Sequence, residues 1–563
     1  MQLRSITESP NELTTDIDVA SPEGIVRLLR ASDAQIYNGY RDYPAVCDDE
    51  IVARIAQAIL WAAPLMGRRD AAIVISGAGT SGRLAMFAAR TFNRHLATRR
   101  QVPNFSYLIA GTDLALIKAQ EGAEDDPHQA ITDLEPLIAG KKRILYVGIT
   151  CAFAAPYVAS QLWHLSSDAR AKCILMGFNP ENRARDMEVE NWDKTFADVV
   201  RAINGRPNCM ILNPVVGPEP VTGSTRMKGG SATKLLLETI FSLAAGSAGG
   251  KSDLETVREA ITRYEQTRVT TYEQVAPIAD LIRLGGQALR QGRHVYYLGT
   301  GSPGIVGLID ASECPPTYGA GFDDVRGFLA GGWRTLLGPG HDLSAAGPWY
   351  RISLDDFLAN QASDLKPDDL VVALPEPRWS PALRETFNKV RRAKAHTAIV
   401  ETTGGRSAAP ACDVHIRVEG LPKSLLPGTH LFGEYATKLI ANALTTAAHI
   451  LCGKVYQNRM VDLRISNNKL YHRTLGILQD LMGVSAETAR RCLLRSIYGQ
   501  DRPTTAVLRA KPSQHVAAAT SAAKVVPRAL IMAGSRASYA EADRLLQREP
   551  VVRSAIERLS KKD

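Results

Sequence analysis

Ala72-Ile73-Val74-Ile75-Ser76 runs directly into Gly77-Ala78-Gly79-Thr80-Ser81-Gly82-Arg83, and a helix-like stretch from Leu84 to Phe92 follows. An apolar run, a glycine loop and a helix are the opening of a parallel α/β unit. The same opening recurs further along the chain. His294-Val295-Tyr296-Tyr297-Leu298 enters Gly299-Thr300-Gly301-Ser302-Pro303-Gly304, followed by Ile305 to Ile309. A second echo links Ala232-Thr233-Lys234-Leu235-Leu236 to Ala436-Thr437-Lys438-Leu439-Ile440, each expected to open an apolar helix.

Each half alternates short apolar runs with longer helical patterns. The first half offers strands at Ile73–Ile75, Tyr107–Ile109, Ile144–Val147, Cys173–Met176 and Met210–Asn213. The second offers Val295–Leu298, Gly327–Leu329, Leu370–Leu374, Thr397–Val400 and Val414–Val418. Strands with intervening helices predict a doubly wound parallel sheet in each half. After Asp462 the pattern turns helical. Leu475–Met482 reads as an amphipathic helix ending at Gly483, and Ser485 as the cap of the next. The stretch from Glu557 to Asp563 is expected to fray. The division is an N-terminal helical segment (1–45), a first α/β domain (46–285), a second (286–462) and an all-helical lid (463–563).

Composition is that of a globular protein, with 45% hydrophobic and 22% charged residues. The net charge of +9 comes without a Lys/Arg-rich run, which favours small anionic metabolites over nucleic acid. None of the eight cysteines forms a CxxC pair, so the chain suits a reducing cytoplasm and lacks a zinc knuckle. Neither a leader peptide nor a membrane-spanning run is visible, which predicts a cytoplasmic protein without membrane partners.

The loop Gly77–Gly82 lies between strand and helix, where backbone N–H groups attract an anion. It also satisfies GxGxxG, but a dinucleotide site wants a carboxylate about twenty residues on. Ala97-Thr98-Arg99-Arg100-Gln101-Val102 holds none. The hydroxyls of Thr80 and Ser81 suit a terminal phosphate better, with a purely structural turn as the remaining alternative. Gly217-Pro218-Glu219-Pro220-Val221-Thr222-Gly223-Ser224-Thr225-Arg226-Met227-Lys228-Gly229-Gly230 masses hydroxyls and cations at a helix start. It reads either as a sugar-phosphate contact or as a capped helix with solvated charges. Two acidic strings, Glu121-Gly122-Ala123-Glu124-Asp125 and Asp310-Ala311-Ser312-Glu313-Cys314-Pro315-Pro316-Thr317, place one carboxylate in each half. Such a pair can carry acid–base chemistry on a sugar phosphate.

These strings resemble the SIS (sugar isomerase) superfamily. Within it, the chain is similar to the N-acetylmuramic acid 6-phosphate etherases and to their double-domain relatives, the glucokinase regulatory proteins. The etherase likeness lies in Gly77 to Leu84, Glu121 to Asp125, Thr222 to Gly230, Asp310 to Gly319, and Gly453-Lys454-Val455 through Asn467-Asn468-Lys469-Leu470. The regulatory likeness covers nearly the whole chain, including Gly177-Phe178-Asn179-Pro180, Asn191-Trp192, Asp323 to Leu329 and Met460 to Asn467. It implies two SIS domains packed as an intramolecular pseudo-dimer under a helical lid.

Carried over residue by residue, the resemblance puts catalytic roles on Glu313 and Glu124. Sugar-phosphate contacts fall on Gly79, Thr80, Ser81, Gly82, Thr150, Ser224, Thr225 and Arg226, with Lys524, or else His515, reaching in from the lid. The losses are complementary. The first half has Thr91 where the second has Glu313; the second lacks hydroxyl-Gly-Arg in its loop and has no Gly-Ala-Glu-Asp. One composite site and one dead site are therefore expected. The segment Thr150-Cys151-Ala152-Phe153-Ala154-Ala155-Pro156 departs from the Ser-Gly-Arg-Thr-Pro of the etherases.

The resemblance implies an etherase that releases D-lactate and N-acetylglucosamine 6-phosphate by elimination and hydration, with no cofactor and no metal. The alternative is a fructose-phosphate-responsive regulator of a sugar kinase. In animal members of that family an aromatic-rich segment meets the kinase; here Leu421 to Phe432 has leucines and one aromatic, and does not match it.

Overall fold

The computed structural model describes residues 5–120, 122–189, 192–246, 253–404, 409–462, 465, 468–519 and 522–560. Glu121, Asn191, Leu463, Ser466 and Asn467, all within the strings above, lie outside the described residues, as do residues 561–563.

All ten expected strands form. β1 (Ala71–Gly77), β2 (Phe105–Ile109), β3 (Arg143–Ile149), β4 (Ala171–Met176) and β5 (Cys209–Leu212) make one parallel sheet in the order β2-β1-β3-β4-β5. β6 (Val295–Gly299), β7 (Val325–Leu329), β8 (Leu370–Leu374), β9 (His396–Glu401) and β10 (Val414–Arg417) make the second, in the same order by position, β7-β6-β8-β9-β10. β1 and β6 are buried along their whole length, which is why both read as unbroken apolar runs. Each is flanked by the two strands that follow it in the chain, one on either side, so the strand order turns about it: Ile73 pairs with Phe105 of β2 on one side and Leu145 of β3 on the other. That reversal of strand order opens a crevice at the carboxyl ends of β1 and β3, where open α/β sheets take their ligands.

Four helices carry the argument: α1 (Thr80–Thr98) and α2 (Lys228–Gly246) in the first half, α3 (Gly301–Tyr318) and α4 (Leu431–Leu451) in the second. The Ala-Thr-Lys echoes do not open α2 and α4 but sit inside them, and Lys234 and Lys438 are buried. Leu236 of α2 and Tyr435 and Ile440 of α4 share one hydrophobic core with Ile36 near the N-terminus and Leu145 of β3. Met86 and Phe87 of α1 pack with Ile305 and Ile309 of α3 in another. The lid has its own core of Leu478, Leu493, Leu530 and Leu546. Its first helix runs Asn468–Met482, and the Ser485 hydroxyl accepts from Thr488 N–H at the start of Ala486–Tyr498. Residues Glu557 to Ser560, expected to fray, form the last turn of the helix Val552–Ser560. No helix among the described residues is long and apolar enough to cross a membrane.

Candidate functional site

The loop after β1 needs its glycines. A Cβ on Gly82 would come within 2.5 Å of Ile109 Cγ1, and one on Gly77 within 2.6 Å of Ser81 Cβ. Gly79 adopts φ +53°, and α1 then starts at Thr80 without a side-chain cap. No side chain caps its first turn, where Ser81 N–H donates to the Ala78 carbonyl at 3.1 Å. Arg83 does not face this loop. It is buried and donates to the carbonyls of Leu116 (3.0 Å) and Ala115 (2.8 Å), holding the segment after β2 against α1.

Three segments meet beside the loop. Cys151, at the carboxyl end of β3, lies next to the hydroxyls of Ser81 and Thr225, and burial pushes its thiol up to about 12. A Cβ on Gly230 would touch both Thr80 Cγ2 and Lys438 (3.3 and 3.2 Å), so α1, α2 and α4 converge there. Thr150 uses its hydroxyl oxygen locally, accepting from Ala154 N–H at 3.2 Å. The residue of that loop turned toward Ser81 is Cys151, not Thr150.

Glu313 of α3 crosses from the second half toward this point. Burial pushes its carboxyl above the ordinary range, while Arg226, Arg83, Lys438 and the nearby Thr80 hydroxyl pull the other way. Its Oε1 has no hydrogen-bond partner among the described residues, and its Oε2 lies 4.0 Å from Arg226 Nη1. Glu124 stands on the exposed turn Ala123–Asp125. Thus a buried carboxyl enters from one half and an exposed one stands in the other.

Arg226 departs from expectation. Its Nη1 donates to Asp310 (3.0 Å), and its Nη2 to the hydroxyls of Thr445 and Thr446 (2.9 Å each). Asp310 also accepts from Tyr297 OH (3.0 Å) and Asn442 Nδ2 (2.7 Å). Arg226 is buried and ties α2's approach to α3 and α4, because an internal carboxylate already neutralises it. The amides of Lys228 and Gly229, which open α2, are likewise taken by Glu219 at 2.8 Å each. Burial raises the Glu219 carboxyl to about 7. Arg226 thus ties the two halves together. Ser224 lies 3.4 Å from the Thr317 hydroxyl across the same boundary.

His515 is wholly buried inside the lid, with Nδ1 3.0 Å from Tyr498 OH and its ring stacked on Tyr471. Lys524 lines a cavity with Asp324, Cys452 and Lys454, at the far end of α4. Cys452 follows Lys438 by fourteen residues, or about 21 Å of helix. A lid side chain that does reach the 222–230 segment is Arg473, whose Nη2 would lie 3.0 Å from a Cβ on Gly223. No sequence signal marked it, since a lone arginine on an amphipathic helix looks like solvated surface.

The equivalent loop of the second half is filled. Gly301 has φ +49°, and a Cβ there would overlap Glu376 Oε1 at 2.0 Å. Thr300 accepts from Glu376 N–H through its hydroxyl at 2.9 Å. A carboxylate of the chain itself therefore sits at the start of α3.

With this geometry in view, the likeness to known proteins is specific. Residues 53–166 match the glucokinase regulatory protein N-terminal SIS domain, 272–401 its second SIS domain and 457–556 its C-terminal lid domain. The glucokinase regulatory protein of Xenopus laevis is 33% identical over 98% of this chain and 92% of its own length. The chain belongs to the glucokinase regulatory protein family. The Homo sapiens member is 35% identical over the same shares. An N-acetylmuramic acid 6-phosphate etherase of Nostoc is 33% identical over 46% of this chain and 79% of its own. Among solved structures, tagatose-6-phosphate ketose/aldose isomerase of Escherichia coli has a TM-score of 0.46 at 11% identity, covering 80% of this chain and 97% of that one. Both SIS domains and the lid domain of this family are thus matched, each over its own stretch of the chain.

Proposed function

We propose that this protein binds a fructose phosphate between the Gly77–Gly82 loop and Glu313, and that the bound sugar governs its hold on a glucose-phosphorylating kinase. The observation that carries the reading is coverage. Glucokinase regulatory proteins match 98% of the chain, lid included, whereas the Nostoc etherase matches 46%. The altered loop at Thr150–Pro156 points the same way. In this reading the amides of Gly79, Thr80 and Gly82 and the hydroxyls of Thr80 and Ser81 take the phosphate. Glu313, held between cations of both halves, accepts a sugar hydroxyl.

A second reading is etherase turnover, favoured by Glu313 alone. A buried carboxyl with a raised pKa and an unpartnered oxygen suits a proton carrier. Two assays separate the readings. The first adds the protein to a glucokinase with and without fructose 6-phosphate, and inhibition that changes with the sugar is expected. The second supplies N-acetylmuramic acid 6-phosphate and measures D-lactate, with none expected; steady release would establish the second reading instead. Ser81→Ala should weaken fructose 6-phosphate binding by about tenfold or more, the weight of one hydrogen bond to a charged group. Calorimetry showing unchanged affinity would remove the loop from the site.

A further inference from the structure

About 15 Å along α1 from Thr80, the same helix presents a second cluster of charge. Arg90 and Arg94, one turn apart, line a cavity of about 660 Å³ between the two halves. Arg334, in the helix Gly332–Leu336 of the second half, lines it from the other side. Arg90 donates only its Nε, to the Thr335 carbonyl at 3.0 Å. None of the three arginines makes an ion pair among the described residues. Asp113 is the one carboxylate in the lining, and it already accepts from Tyr107 OH at 2.5 Å. Met86, Leu336 and Leu337 supply apolar wall.

Such an arrangement is costly when empty. Like charges four residues apart on a helix repel, and the guanidinium of Arg90, half-buried where Arg94 and Arg334 are exposed, needs a partner to the extent that it is drawn from water. Burial, and then the neighbouring Arg94, lower the pKa of Arg90 to about 10. In the lining three guanidiniums face one carboxylate, with Glu434 and Glu376 acting on Arg90 from outside it, so the wall is positive, and guanidinium geometry suits phosphate oxygens. The volume is that of a site for a small organic molecule, and the apolar wall asks for an apolar group on the ester.

We propose that this interdomain cavity is a second binding site, separate from the Gly77–Gly82 loop, for an organic phosphate monoester with an apolar substituent. The experiment is calorimetric titration of the full chain with n-octyl phosphate and, separately, inorganic phosphate. One octyl phosphate per chain is expected, bound more tightly than inorganic phosphate and not displaced by saturating fructose 6-phosphate. The double variant Arg94→Glu/Arg334→Glu, at two exposed positions, should weaken octyl phosphate at least about tenfold. Its fructose 6-phosphate affinity should stay unchanged. Should the double variant show no melting transition, Arg94→Gln decides, with a loss of about threefold to tenfold expected. The proposal is overturned by an absence of saturable binding, by full displacement with fructose 6-phosphate, or by charge variants that bind as the parent does.

Discussion

Lys234 of α2 has its ammonium buried between two carboxylates, Glu238 on its own helix and Glu434 of α4, the latter at 3.0 Å. Tyr264 OH donates to Glu238 at 2.7 Å. Burial nevertheless raises the Glu238 carboxyl from its ordinary 4.5 to about 7. The folded chain then holds a proton there that the unfolded chain releases between these values. The resulting stability is fully present below about pH 4.5 and is lost as pH rises through 7, by an amount on the order of 3 kcal/mol. Urea melts from pH 5 to pH 8 should show this decline, and Glu238→Gln should flatten it. An unchanged slope in the variant would place the titration elsewhere. At this scale the sequence was only partly legible. Glu313 stood out because its string is long; Asp310, three residues earlier, gave no sign that it anchors Arg226, since that role exists only once α4 delivers Asn442 and Thr445.

Helix starts show how one element can serve opposite ends. α1 begins without a side-chain cap, α2 begins on Glu219, and α3 begins beneath Glu376. The sequence predicts all three as helices following glycine-rich or hydroxyl-rich segments. It does not reveal which starts are already filled, because Glu219 lies nine residues before Lys228 and Glu376 lies on the loop after β8. Glu376→Gln should remove the favourable charge at the α3 start and lower stability by about 0.3–1 kcal/mol. It should not create a second fructose-phosphate site, because a Cβ on Gly299 would still stand 2.2 Å from the Gly304 Cα, so the loop backbone stays packed on itself. Thermal melts and a binding stoichiometry of about one sugar phosphate per chain check both parts; a stoichiometry that doubles in the variant would show that Glu376 alone silences the second loop.

For the whole molecule, the boundary between the halves is a buried ionic network as much as an apolar core. Arg226 and Asp310 are 1% and 3% exposed. Lys438 adds a donor to the Arg226 carbonyl at 2.8 Å. Removing one partner of such a pair leaves the other charge unmatched, so Arg226→Met should cost about 3–5 kcal/mol in urea denaturation. Arg226→Met/Asp310→Asn should recover much of that, since neither charge remains. Two single costs that simply add would show that the pair is not coupled. The same network explains why cations gathered near the loop need not touch a ligand: the opposite half neutralises them.

Contiguous residues alone specify both parallel, doubly wound sheets, the glycine loops and the complementary losses between the halves. These are properties of contiguous residues: apolar runs make buried parallel strands, and a position that a Cβ would fill demands glycine whatever surrounds it. Tertiary structure alone decided which charges are available. Arg226 meets Asp310 across eighty-four positions and Lys234 meets Glu434 across two hundred. Cys151 rather than Thr150 turns toward Ser81, and Arg473 rather than Lys524 reaches the 222–230 segment. A buried charge takes the partner that packing brings within about 3 Å, and no spacing along one chain encodes that encounter when the two partners lie in different halves of the fold.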